Sequence, residues 1–266
     1  MINIEPIDFP GVQAIINNLD FYKNKFLNDS VIVFRNANLS PEDQKVFHNS
    51  LGDAFGWFTF EKDGEMSRYF EDHSTNTKID TATKDEIMLS WHIEHVYYEN
   101  PIVASTWNML VFNTDNDNGK TYFVDSEKVY NRMPESWKNF LNKCTISAAD
   151  FNLENVFPNF KPVQKHWITN NDVLRLRVSE KRDSINNLVL FDDKEPTEEE
   201  KEKFRDIVSW FGNEIINNEE IRIVHRWQKG DLVFPDMFKL AHAVTGGFSP
   251  LDRKFIGIWG NRYIGK

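Results

Sequence analysis

The sequence predicts a mixed α+β fold, mainly a β core decorated by helices. Short β-branched and aromatic runs recur along its length, among them Val31-Ile-Val-Phe34, Val103 to Asn113, Thr121-Tyr-Phe-Val124, Leu232-Val-Phe234 and Phe255-Ile-Gly-Ile-Trp259. Fewer segments carry the three- and four-residue spacing of an amphipathic helix. The 266 residues are 40% hydrophobic and include 22 Phe and 8 Trp, enough to bury a full, ring-rich core. No internal repeat, low-complexity tract or linker divides them, so residues 1–266 are expected to form one domain.

Gly11 to Asn28 reads as a helix, with Val12, Ile15, Ile16, Leu19, Tyr22 and Phe26 on one face. Val31 to Phe34 reads as a buried strand. Ser40-Pro-Glu-Asp43 opens a second helix, with Ser40 as N-cap, Pro41 in the first turn and acids against the helix dipole. That helix is expected to stop at Gly52, and Phe55 to Phe60 reads as a strand. Residues 61–85 are polar, charged and aperiodic, which leaves two readings: an active-site loop or lid, favoured by their place before a metal-type motif, and a surface excursion. Ile87 to Tyr98 and Val103 to Asn113 read as strands, the second ended by Asn113-Thr-Asp-Asn-Asp-Asn-Gly119. After Thr121 to Val124 comes a helix capped near Asp125 or Ser126 and interrupted by Pro134. Val173 to Val178 alternates apolar and basic residues like a strand. Thr197-Glu-Glu-Glu200 is a capping box opening a helix that buries Phe204, Ile207, Val208, Phe211 and Ile215. Ile221 to Trp227 is a strand, and Lys229-Gly-Asp231 turns into the last two strands.

Charge narrows the partners. The net charge of −10 argues against nucleic acid or an anionic membrane, both of which need basic surface. It does not identify a substrate, because an acidic protein can carry a local cationic pocket. The single cysteine, Cys144, excludes an intrachain disulfide and reads as a buried apolar residue in a reducing compartment. Met1-Ile-Asn-Ile-Glu-Pro lacks the pattern of a secretory leader, and no apolar run is long enough to span a bilayer. A cytoplasmic protein is expected.

The chemistry centres on Trp91-His92-Ile93-Glu94-His95. On a strand, His92 and Glu94 point to one face and can grip one ion together. Two imidazoles and a carboxylate on one side of a metal suit non-haem Fe(II) and O₂ chemistry, and His242 is the candidate second imidazole. His95, next in line, points away and reads as structural or as a support to the ligands, not as a ligand.

Four colinear segments resemble the taurine dioxygenase/TfdA group of Fe(II)- and 2-oxoglutarate-dependent oxygenases. They are Val31 to Gln44, Trp91-His-Ile-Glu94, Gly119-Lys-Thr-Tyr-Phe123 with the helix after it, and Arg226 to His242. The resemblance implies a double-stranded β-helix, or jelly roll. It also implies His92, Glu94 and His242 as iron ligands, with 2-oxoglutarate and O₂ filling the open positions. Arg253, eleven residues past His242, falls where the group binds the far carboxylate of 2-oxoglutarate, and Thr121 where it supplies a hydroxyl. A guanidinium suits that task because its planar fork meets a carboxylate bidentately. The implied reaction hydroxylates a C–H bond of a small polar substrate, with succinate and CO₂ as co-products.

Two departures matter. The commoner motif is His-x-Asp, and the Glu94 variant resembles the branch of clavaminate synthase, which points to a free amino acid or derivative as substrate. A carboxylate at 94 argues against the halogenating relatives. Asp236-Met237 replaces the group's frequent Asp-Asn, leaving Asp236 to hold the turn before His242. The alternatives are a taurine-type sulfonate-cleaving dioxygenase and, in another class, a non-catalytic metal- or ligand-binding jelly-roll protein. The second gives Arg253 no purpose beside an open triad. Arg68, Tyr69, His73, Ser90 and Tyr97 near the motif, and Arg175 and Arg177 on a strand face that could meet an anionic group, are candidate substrate contacts, but each reads rather as a solvated or core-edge residue.

Overall fold

The computed structural model describes residues 1–59, 68–70, 82–98, 100–148, 159–179 and 186–262. The first half of the chain forms β1 (Ile2–Asn3), β2 (Ile7–Asp8), α1 (Val12–Ile16), α2 (Leu19–Asp29), β3 (Val31–Arg35), α3 (Pro41–Phe55), β4 (Phe58–Thr59), β5 (Arg68–Phe70), β6 (Ile87–Ile93), β7 (Ile102–Phe112) and β8 (Thr121–Asp125). The second half forms α4 (Ser126–Arg132), α5 (Glu135–Leu141), β9 (Cys144–Ala148), β10 (Val163–Lys165), β11 (Asp172–Leu174), β12 (Asn186–Phe191), α6 (Glu198–Asn217), β13 (Ile223–His225), β14 (Leu232–Pro235), β15 (Leu240–Thr245) and β16 (Arg253–Asn261).

Two sheets carry the fold. One runs β1-β13-β8-β15-β6, and the other runs β2-β3-β14-β7-β16-β4, with β5 also paired to β16. Their inner faces share one core, in which Val33, Trp107 and Val233 of the larger sheet meet Phe123, Ile223 and Leu240 of the smaller. Trp107 stacks on Phe123 with ring centroids 5.8 Å apart. Strand alternation sends the neighbours of Phe123 the other way, so Tyr122 and Val124 join Phe204, Ile207 and Phe211 of α6 on the outer face. On the far side, α1, α2 and α3 bury Ile15, Phe26 and Phe47 against Phe34 and Phe234. Helices therefore cover both outer faces and leave the inner crevice for chemistry. The two small sheets, β9 with β12 and β10 with β11, occupy the stretch whose pattern is least regular.

Local signals explain most elements. Ser40 Oγ accepts from Asp43 N at 3.1 Å to cap α3, and Thr197 and Glu200 cap each other's backbone at the start of α6. The expected helix over 11–28 is two helices. The chain breaks at Asn17 and Asn18, residues of low helix propensity, where Asn18 leaves helical geometry at φ −132° and ψ 38°. Gly52 does not end α3. A Cβ there would lie 2.8 Å from Trp57 Nε1, so this glycine serves close packing, and Gly56 at φ 92° makes the stop. Phe55 is thus helical, and of the strand expected over 55–60 only Phe58–Thr59 pairs.

β6 ends at Ile93, earlier than Tyr98, and residues 94–97 turn. The 173–178 alternation yields only the end of β11, and Arg175, the first basic residue of the run, is buried instead of solvated. The strand over 221–227 shortens to Ile223–His225. His242 sits on β15, a strand with no period-2 pattern because both of its faces are buried. Most of the expected 61–85 loop lies outside the described residues.

Candidate active site

β15 lies between β6 and β8, so its register sets the site. His242 is paired with His92 on one side and Phe123 on the other. Their shared inward face brings the His92 and His242 rings to 4.1 Å between centroids. Glu94 comes one residue after the ladder ends, at the head of the turn. Its Oε1 lies 3.3 Å from His92 Nε2 and 3.8 Å from His242 Nε2. One ligand atom from each of the three residues lies within 4.8 Å of the other two.

Protonation fits a cation. His92 Nδ1 is 2.7 Å from the Ser90 carbonyl. A carbonyl only accepts, so Nδ1 carries hydrogen and Nε2 can present its lone pair. Burial pushes His242 down to about 3, helped by His92 and opposed by Glu94, and keeps this imidazole neutral. Burial would protonate Glu94. The hydrogen bond and charge of His92, then the charges of His242 and His95, outweigh it and hold the carboxyl at about 2. Burial also lowers His92, and its bond to Glu94 more than reverses that. Two imidazoles around one ionised carboxylate are the donor set that suits Fe(II), and a divalent cation would replace the proton held between His92 and Glu94.

The three residues line a cavity of about 180 Å³ together with Leu89, Trp107, Thr121, Val244, Arg253, Phe255 and Trp259. Arg253 opens β16 and is buried, its guanidinium 5.1 to 5.5 Å from the ring centroids of Phe255, Phe248 and Trp227. Burial pulls it down to about 9, a cost that a bound carboxylate would relieve. The turn before β8 passes close over this box. Gly119 has φ 58°, and a Cβ there would sit 2.9 Å from the Phe248 ring and 3.4 Å from Arg253 Cδ. Thr121 Oγ1 accepts from Trp227 Nε1 at 2.9 Å.

All five residues singled out in the sequence thus meet in one cavity. The remaining candidates divide. His95 takes φ 46°, stacks on Tyr98 at 4.3 Å and meets Trp259 edge-on, apart from the ligand group. Tyr97 is core, its hydroxyl donating to Asn186 Oδ1 at 2.7 Å, while Ser90 is exposed and offers its carbonyl to His92. Arg177 is half-buried, and its charge opposes protonation of His92. The side chains of Arg68 and Tyr69, and all of His73, lie outside the described residues.

Asp236 does hold the turn before His242. It accepts from Phe238 N at 3.2 Å and from His166 Nε2 at 2.9 Å. Arg175, read as solvated or core-edge, donates to the carbonyls of Glu94, His95 and Phe238. Its signal was a basic residue amid Val173, Leu174 and Leu176, all fully buried. Trp227, just past β13, was also missed, because an indole there reads as ordinary core.

Residues 2–259 match the family Taurine catabolism dioxygenase TauD, TfdA. The chain belongs to this family. It is an Fe(II)- and 2-oxoglutarate-dependent dioxygenase, and the His92-Glu94-His242 group is consistent with iron binding. Among solved structures, a taurine dioxygenase from Burkholderia xenovorans is similar at 15% identity and TM-score 0.66, covering 99% of this chain and 92% of that one. AAD-2 in complex with Mn(II) and N-oxalylglycine is similar at 16% identity and TM-score 0.64, covering 97% and 92%. At such identities these structures establish a shared fold. No curated protein matches the sequence. Among the described residues of this TauD/TfdA-family chain, no helix is long and apolar enough to cross a membrane.

Proposed function

We propose that His92, Glu94 and His242 hold Fe(II), that Arg253 and Thr121 clamp the far carboxylate of 2-oxoglutarate, and that the enzyme hydroxylates a C–H bond of a free amino acid or a derivative of one. The observation that carries this reading is convergence: three ligand atoms within 4.8 Å of one another open into the cavity that Arg253 and Thr121 also line. Fe(II) bound there would activate O₂, the oxidant, so that 2-oxoglutarate, O₂ and the substrate C–H would give succinate, CO₂ and the hydroxylated substrate. The protein supplies position and shielding. Arg253 offers a forked cation on aromatic walls, a geometry a lysine would not reproduce. Thr121, having accepted the Trp227 indole hydrogen, donates its own proton to the same carboxylate. Leu89, Val244 and Phe255 keep the reacting space dry.

The amino-acid assignment is supported by Glu94 in place of the commoner aspartate, as in clavaminate synthase-like members. The facing sheets fit a double-stranded β-helix. We read residues 1–266 as one oxygenase domain acting on a small molecule in the cytoplasm. The test is a screen of amino acids and sulfonates for stimulated 2-oxoglutarate consumption, with succinate quantified. An amino acid is expected to stimulate turnover. Sulfite release from a sulfonate would move the assignment to taurine-type cleavage. Absence of succinate in every case would leave a metal-binding protein.

A further inference from the structure

We infer that Arg175 is the positioning residue for the third metal ligand, fastening the turn that carries Glu94 to the turn that leads into His242. The inference rests on the reading of His92, Glu94 and His242 as ligands.

The sheet does not fix all three alike. The β15–β6 ladder pairs His242 with His92 and Ala241 with Ile93. Glu94 lies past it, so no ladder bond holds its backbone in place. The turn it opens is also unfavourable, since His95 is a non-glycine residue at φ 46°. Something outside the sheet must hold that turn.

Arg175 reaches it from another element. Its Nη2 donates to the Glu94 carbonyl at 3.0 Å and to the His95 carbonyl at 3.3 Å. Its Nη1 donates to the Phe238 carbonyl, two residues before β15 begins. The guanidinium also lies 4.2 Å over the Phe238 ring. One planar fork thus joins the two backbone turns from which the ligands Glu94 and His242 are presented. The fork is itself fixed. Arg175 N donates to the Pro162 carbonyl at 2.8 Å, and the side chain is fully buried. The charge of Asp236, itself bonded to His166, compensates the buried cation. A lysine could not span carbonyls on both turns in one plane.

The test is a double-mutant cycle on the full chain, with Co(II) as probe and its visible absorption as readout. No turnover is needed. Arg175→Met is expected to weaken Co(II) binding by about 10- to 100-fold, the range for residues that orient a ligand, with Arg175→Lys in between. Glu94→Ala weakens binding too, and adding Arg175→Met to it should cost little more, because the arginine acts through that carboxylate. A full further loss in the Glu94→Ala background would overturn the inference, as would unchanged Co(II) affinity in Arg175→Met. If thermal melting shows Arg175→Met unfolded, Arg175→Lys carries the same cycle with the same criterion. Unchanged Co(II) affinity in Glu94→Ala would instead overturn the ligand assignment beneath it.

Discussion

The two histidines of the candidate triad and its glutamate are held by different physics. His92 and His242 face each other on paired strands, so backbone hydrogen bonds of the sheet set their spacing. Glu94 stands one residue beyond the ladder, on a turn containing a left-handed histidine and tied by a buried arginine. Register places a side chain through many shared bonds, and no single residue decides it. A turn is placed by a few side chains, any of which can be lost.

The largest expected effect tests whether both kinds of ligand are needed. Glu94→Ala and His242→Ala should each abolish succinate formation, measured with the best substrate of the screen. Ordinary turnover in either would show that the triad is misassigned. A smaller effect separates Arg253 from Arg175, both of them buried. Arg253→Lys should raise the KM for 2-oxoglutarate about 10- to 100-fold, the worth of about 1.5–3 kcal/mol in charge-assisted bonding. Co(II) binding without 2-oxoglutarate should not change. A loss of metal affinity would mean that Arg253, like Arg175, shapes the ligands. Thr121→Val leaves the Trp227 indole N–H without its acceptor and should cost about 1–3 kcal/mol of stability in a denaturant melt. It should also raise the KM for 2-oxoglutarate, and Thr121→Ser should restore most of both.

The smallest effect concerns a residue that does not line the cavity. Burial pushes the Cys144 thiol up to about 12, so it stays protonated and shielded at pH 8. A thiol reagent should find no reactive group in the native protein and one after unfolding. Native reactivity would contradict the packing of Cys144 under α5.

The same division governs what could be read from the sequence. His92 and Glu94 were legible as a pair, because alternation and a known spacing both point to them. Arg253 and Thr121 were legible only by resemblance, since nothing local to either residue speaks of a carboxylate. The end of β6 was not legible. Ile87 to Tyr98 is apolar enough to read as one strand, and the turn at 94–97 depends on Arg175, far away in sequence. Gly52 misled for a related reason, its close contact being with Trp57 beyond the helix end. Arg175 itself was hidden because a basic residue in an alternating run ordinarily faces water, and only tertiary contacts reveal the carbonyls that receive it.

The central claim is that the triad and Arg253 together make one working site. It is tested most directly by adding Fe(II) and then 2-oxoglutarate to the full chain without oxygen. A weak visible charge-transfer band should appear, and it should decay with release of succinate when air is admitted. No band, and no succinate in air, would contradict it.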